Sequence, residues 1–199
     1  RLAGEDIADG EPVIAAGTRL GSRHLMVLAA LGIAEVPVRK RVKAAVLCTG
    51  GELVDDPAQE LLSGQIRNCN GPFLALRLKQ AGADVVYQAT IADEASHFMA
   101  ALQSALKAGA EIIVSSGAVS MGRYDFVPAA LASLGAEILF HKVAMRPGKP
   151  LLFARLPGGQ RVFGLPGNPV SSAGGLRFFT EPARRQAYGQ APQSPWRLP

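Results

Sequence analysis

Sulfur, aromatic rings and long apolar runs are all scarce in this chain of 199 residues. Its two cysteines, Cys48 and Cys69, have no Cys-x-x-Cys partner and no neighbouring histidine, which excludes a zinc ribbon or a disulfide-stapled scaffold and suits a reducing cytoplasm. Arg, Asp, Gly or Pro interrupts every apolar stretch before the ~18 residues a membrane span needs, so a soluble protein with no membrane partner is expected. Aromatics make up 6% of the chain and no recognised nucleic-acid motif appears, which argues against a nucleic-acid surface. No secretory or transit pattern opens the sequence, and a start at Arg1 reads as a piece of a longer protein. Nucleophile motifs of the Ser-His-Asp or Cys-His kind are missing. His24, His97 and His141 stand alone and read as ordinary surface or core histidines.

Acid is also scarce in the second half. Residues 1–99 carry 10 basic and 12 acidic groups, whereas residues 100–199 carry 11 basic and 4 acidic groups. A surplus of that size, without nucleic-acid features, points to a small phosphorylated or oxyanionic ligand.

What is present is alternation. At about 150 residues per domain, the length predicts one domain plus an appendage. Residues 1–40 read as the end of a preceding domain, with one helix over Arg23–Leu31 capped by Gly32, and then a linker at Pro37–Arg41. From there strand and helix patterns take turns: strands at Ala44–Thr49, Asp84–Ala89, Glu111–Ser115 and Ala136–Val143, and helices at Gly71–Ala81, Asp93–Ala108 and Asp125–Leu134. Pro157-Gly158-Gly159-Gln160 joins Leu151–Leu156 to Arg161–Leu165 as a hairpin. A closing helix over Val170–Tyr188 carries Pro182 as a kink or break. The expected fold is α/β over 41–188, a three-layer, mostly parallel sheet with helices on both faces, and 189–199 read as a linker.

Ligands of such sheets lie at the carboxyl ends of the strands. Four loops there exceed what a connection needs. Thr49-Gly50-Gly51-Glu52 offers close backbone approach, a hydroxyl and a carboxylate. Downstream, Asn68 and Asn70 sit where at least one should cap the following helix, and Asp93 sits at the N-cap position of the next. Ser115-Ser116-Gly117-Ala118-Val119-Ser120-Met121-Gly122-Arg123-Tyr124-Asp125 reads as a nest of donors for a phosphate, with Asp125 as a cation ligand. Lys142, Arg146 and Lys149, stiffened by Pro147 and Pro150, form an anion clamp. Beside them, Gly164-Leu165-Pro166-Gly167-Asn168-Pro169 leads into a helix capped by Asn168 with Pro169 at its first position.

Taken in order, these strings resemble the molybdopterin molybdenumtransferase family, the enzymes of molybdenum-cofactor synthesis related to the E domain of gephyrin. The resemblance rests on Thr49-Gly50-x-Glu52-Leu53, Gly64-Gln65-Ile66 with Asn70, Ser116-Gly117-x-Val119-Ser120-x-Gly122-x-x-Asp125, Pro147-Gly148-Lys149-Pro150 and Gly164–Pro169. It implies that molybdate is inserted into adenylylated molybdopterin with release of AMP and with Mg2+ as the divalent ion. It further implies a cytoplasmic homodimer at full length, supplied by a molybdopterin adenylyltransferase. Carried over position by position, the catalytic carboxylates are Glu52, Asp93 and Asp125, which with Pro166 and Pro169 also form the metal set. The ligand set is Thr49, Gly50, Asn70, Ser116, Gly117, Ser120, Gly122, Lys142, Arg146, Lys149, Gly167, Asn168 and Ser171.

The sequence departs from that family at Gly51, where Asp is usual, at Ala118 for the second glycine of the serine loop, at Asn68 for a frequent Asp, and at Arg123 where an acid often stands. Fewer carboxylates and one added cation imply weaker cation binding or stronger anion binding. The alternatives are a molybdopterin adenylyltransferase or another enzyme of the same superfamily, and a gephyrin-like scaffold without catalysis. The fragment alone is expected to bind ligand and to catalyse poorly.

Overall fold

In a computed structural model, residues 2, 4–119 and 126–191 are described, and the chain divides into two compact units. One unit is residues 41–183. The other joins the residues up to Lys40 with those from Arg184 onward. In the smaller unit, α1 (Ser22–Ala30) starts with the Gly21 N–H donating to His24 Nδ1 at 3.0 Å and ends before Gly32, whose φ of 69° suits a residue without Cβ. Leu28 is the buried residue of that helix.

The larger unit is built on a six-stranded sheet. Its strands in chain order are β1 (Lys43–Thr49), β4 (Asp84–Ile91), β5 (Ile112–Ser116), β6 (Glu137–His141), β7 (Leu152–Arg155) and β8 (Arg161–Leu165), arranged in space as β4-β1-β5-β8-β7-β6. β4, β1, β5 and β8 pair in parallel, and β7 and β6 extend the sheet antiparallel. Two short strands, β2 (Leu53–Val54) and β3 (Ile66–Arg67), pair in parallel as a separate ribbon that the hydrophobic pattern does not announce. Two residues are too few to show a period of two.

Helices cover both faces. α3 (Ala95–Lys107) and α4 (Val127–Ser133) pack Phe98, Leu102, Val127 and Leu131 on Ala45, Leu47, Ile113 and Leu152. α2 (Asn70–Gln80) and α5 (Pro169–Gly175) lie on the other face, against β1, β4 and β8. Successive strand residues point to opposite faces, so a run such as Ala44–Cys48 with every side chain buried is what a sheet covered twice requires. Burial drives the Cys48 thiol up to about 11, its apolar surroundings disfavouring the thiolate.

The closing helix is continuous but not uniform. After α5 comes a π-helical turn over Leu176–Thr180, and then α6 (Glu181–Ala187). Pro182 has no N–H to give and its ring would collide with an α-helical carbonyl four residues earlier. The wider turn just before it, in which the Glu181 N–H donates to Leu176 O, relieves this, so the helix neither breaks nor ends there. Glu181 itself is buried between two cations, Arg77 Nη2 at 2.6 Å and Arg177 Nη1 at 2.9 Å. That bridge fixes α2 alongside the closing helix. No helix among the described residues is long and apolar enough to cross a membrane.

Candidate functional site

Parallel pairing places the carboxyl ends of β1, β4, β5 and β8 on one edge of the sheet. Two antiparallel steps make β6 parallel to β8, so the β6–β7 connection emerges there too. Five stretches remote in sequence thus share an edge: 49–52, 92–94, 116–119, 142–151 and 165–171.

Asn70 is the clasp of that edge. At the start of α2, its Nδ2 donates to Ser116 Oγ at 2.8 Å and to Gly167 O at 2.7 Å. Ser116 Oγ in turn donates to Pro166 O at 3.3 Å, the Gly117 N–H to Leu165 O at 3.0 Å, and Thr49 Oγ1 to Ser116 O at 3.4 Å. The donors of Asn70, Ser116 and Gly117 are therefore engaged within the protein, and what Gly117 contributes is room. Its φ is 100°, and a Cβ there would overlap Thr49 Oγ1 and sit 2.6 Å from Thr49 O. Gly167 lies directly alongside, its Cβ position 3.8 Å from Gly117 Cα.

The neighbouring asparagines divide the capping work. Asn68 Oδ1 accepts the Gly71 N–H at 2.9 Å, while its Nδ2 reaches Asp55 Oδ1 at 3.0 Å and Thr90 Oγ1 at 2.8 Å. At α5, Asn168 Oδ1 accepts the N–H groups of Val170 and Ser171 at 3.1 and 3.2 Å, with Pro169 at the first helical position, as its sequence implies. Asp93 does not cap. The N-cap of α3 is Glu94 and it makes no side-chain cap bond; Asp93 Oδ2 accepts the Gly51 N–H instead, at 3.3 Å. A strand end that runs two residues longer than the pattern suggests, to Ile91, leaves Asp93 in the turn, where the β1 glycine loop competes for it.

Charge is sorted along the edge. Asp93 and Glu52 follow β4 and β1 at one end, whereas Lys142, Arg146 and Lys149 follow β6 at the other, and all five are exposed. None of the five pairs ionically with another described residue. Four strand spacings separate β1 from β6, ~19 Å. The cation loop narrows this gap by leaning back over α5: at Gly148, φ 112°, a Cβ would lie 2.5 Å from Met145 Cε and 3.7 Å from Ser171 O. Pro166 is buried and Pro169 exposed, so a metal would meet them only through carbonyl oxygens. Ser120, Gly122 and Asp125 lie outside the described residues. Among the described residues no group of three or more His, Cys, Asp or Glu side chains gathers as a cation site.

A family model described as a probable molybdopterin binding domain matches residues 45–186. The chain belongs to this family. The whole chain is 44% identical to the molybdopterin molybdenumtransferase of Synechococcus elongatus over 92% of its own length and 45% of the relative's. It is 37% identical to that of Bacillus subtilis over 90% of its length and 41% of the relative's. Among solved structures, the molybdopterin biosynthesis MoeA protein of Pyrococcus horikoshii superposes with a TM-score of 0.82 at 31% identity, covering 93% of this chain and 45% of that one. The chain spans less than half the length of these relatives.

Two residues of this edge make contacts that the sequence pattern does not announce. His141, read there as an ordinary histidine, binds the serine loop. Gly164 makes room for Val119 inside a strand. An isolated glycine within the strand pattern of 161–165 was the available signal for the second. Nothing local marked the first.

Proposed function

We propose that this domain holds adenylylated molybdopterin and molybdate at the carboxyl edge of its sheet, and that the full-length protein inserts molybdate into the pterin with release of AMP. The observation that carries the reading is the sorted edge: carboxylates at one end, cations without an ionic partner among the described residues at the other, and Cβ-free turns at Gly50, Gly117 and Gly167. Molybdate and phosphates are anions, so Lys142, Arg146 and Lys149 attract and orient them, while Thr49, Ser171 and Asn168 line the approach from β1 and α5. Ser116 and Asn70 hold the turns at fixed spacing. Positioning of this kind, with charge neutralisation, supplies most of what breaking a phosphoanhydride demands, and no protein nucleophile is required.

The donor set suits magnesium. Glu52 and Asp93 would offer hard oxygen donors from the loops that follow two adjacent strands, Asp93 is oriented by the Gly51 N–H, and Asp125 with the carbonyls of Pro166 and Pro169 would complete the set. Bound there, magnesium would supply charge neutralisation for phosphate oxygens. The reading places the full-length protein in the cytoplasm as a homodimer that receives its substrate from a molybdopterin adenylyltransferase.

The test is AMP release by the full-length protein from adenylylated molybdopterin. Stimulation by molybdate and magnesium is expected, with a loss of at least a hundredfold in Asp125→Asn and Asp93→Asn, on the order of what removing one electrostatic stabiliser costs. AMP release indifferent to molybdate, or unchanged in Asp125→Asn, refutes the mechanism. ATP-dependent adenylylation of free molybdopterin would assign the adenylyltransferase activity instead.

A further inference from the structure

His141 ends β6 in a row that crosses the sheet from His141 through Leu152 to Gly164. Its Nε2 stands 2.8 Å from the carbonyl oxygen of Val119, in a different connection 22 residues away. A carbonyl only accepts, so Nε2 carries the ring proton and the imidazole donates. Val119, 1% exposed, rests on Gly164: a Cβ at that glycine would fall 2.7 Å from Val119 Cγ1 and 3.3 Å from Leu152 Cβ. Valine is stiff at χ1 and this one is enclosed, so it has no easy way to yield.

The backbone on both sides of this contact is strained. Ala118 holds φ 50° and Lys142 holds φ 76°, left-handed values that residues with a Cβ keep only where the surroundings over-determine them. Ala118 O accepts the Val127 N–H at 3.3 Å, and the Lys142 N–H donates to Leu151 O at 2.8 Å. One imidazole therefore ties a strained turn that follows Ser116 and Gly117 to a strained residue that begins the cation loop.

We propose that His141 is a positioning residue for the ligand edge. Its N–H, with the bare surface of Gly164 beneath, seats the Gly117–Val119 turn on the sheet and sets the spacing between that turn and Lys142. The consequence for ligand affinity rests on the function proposed above; the seating itself does not.

Three variants of the chain test it. His141→Phe keeps a ring and removes the donor, His141→Gln restores an N–H at nearly the same reach as Nε2, and Gly159→Ala, at the opposite edge, is a control for simple destabilisation. Amide exchange at Val127 and affinity for adenylylated molybdopterin are the readouts. In His141→Phe, exchange at Val127 should accelerate about tenfold and affinity should fall about tenfold, with both restored in His141→Gln and affinity untouched in Gly159→Ala. Unchanged exchange at Val127 in His141→Phe overturns the proposal, as does equal acceleration in Phe and Gln. If the unsubstituted chain does not bind adenylylated molybdopterin, the proposed function falls, and exchange at Val127 alone decides the role of His141.

Discussion

The two edges of the sheet use glycine for different reasons. At the amino edge, Gly82, Gly109, Gly135 and Gly159 all hold positive φ, and a Cβ at any of them would meet at most a side chain at ordinary or slightly close distance. They end helices or turn a hairpin, and their conformation is all that is asked of them. At the carboxyl edge, Gly117 has positive φ as well, but the space where its Cβ would be is taken by Thr49, and Gly164, in an ordinary strand conformation, faces Val119 in the same way. The amino edge is joined by tight backbone turns. The carboxyl edge is held together by side chains: Asn70, Ser116, Thr49 and His141 each bond to a different connection. Protein stability is spent at one edge to fix loops that a mere fold would leave free.

Substitutions can break this contrast. Gly117→Ala carries the largest expected effect: overlap with Thr49 added to left-handed strain lowers unfolding free energy by about 3–5 kcal/mol in denaturant melts. A loss comparable to that of an amino-edge glycine would erase the distinction. Asn70→Ala should cost about 2–3 kcal/mol, since Gly167 O and Ser116 Oγ lose their shared donor in a largely buried setting; a melt shifted by only a few tenths would deny Asn70 the role of clasp.

Cys48, one residue before Thr49, sharpens the comparison through pH. Its thiol is raised from 9.0 to about 11, so the folded chain keeps a proton that the unfolded chain gives up. The stabilisation is complete below pH 9 and is lost as pH rises through about 11, a decline of roughly 2–3 kcal/mol that Cys48→Ala should remove from the alkaline limb. The exposed Cys69 should react with a thiol reagent in the native state while Cys48 reacts only on unfolding. Smallest of all, Gly82→Ala at the amino edge should cost about 1 kcal/mol, because strain acts there without a clash.

Much of the molecule is legible along the chain. The apolar runs at 44–49, 84–89 and 111–115 place three of the parallel strands, Gly32 and Gly82 close their helices, and Asn168 with Pro169 opens α5. Pro182 marks a disturbance in the pattern, which the helix meets by widening to a π-turn over Leu176–Thr180, while Glu181 beside it pairs with Arg77, a partner 104 residues away that a local pattern cannot contain. Asp93 was placed one step wrong for the same reason: its competing partner, the Gly51 N–H, lies 42 residues away.

By itself, then, the order of residues determined the α/β class, the alternation of elements, the loops that bear hydroxyls, carboxylates and cations, and the family those loops resemble. Period, turn chemistry and capping act over a few residues, so they can be read wherever they stand. Tertiary structure alone decided that the acids and the cations occupy opposite ends of one edge, that Asn70 joins partners 46 and 97 residues away, and that His141 reaches across to Val119. Strand order and side-chain clasps are settled by contacts between remote segments, and those contacts exist only once the sheet has formed.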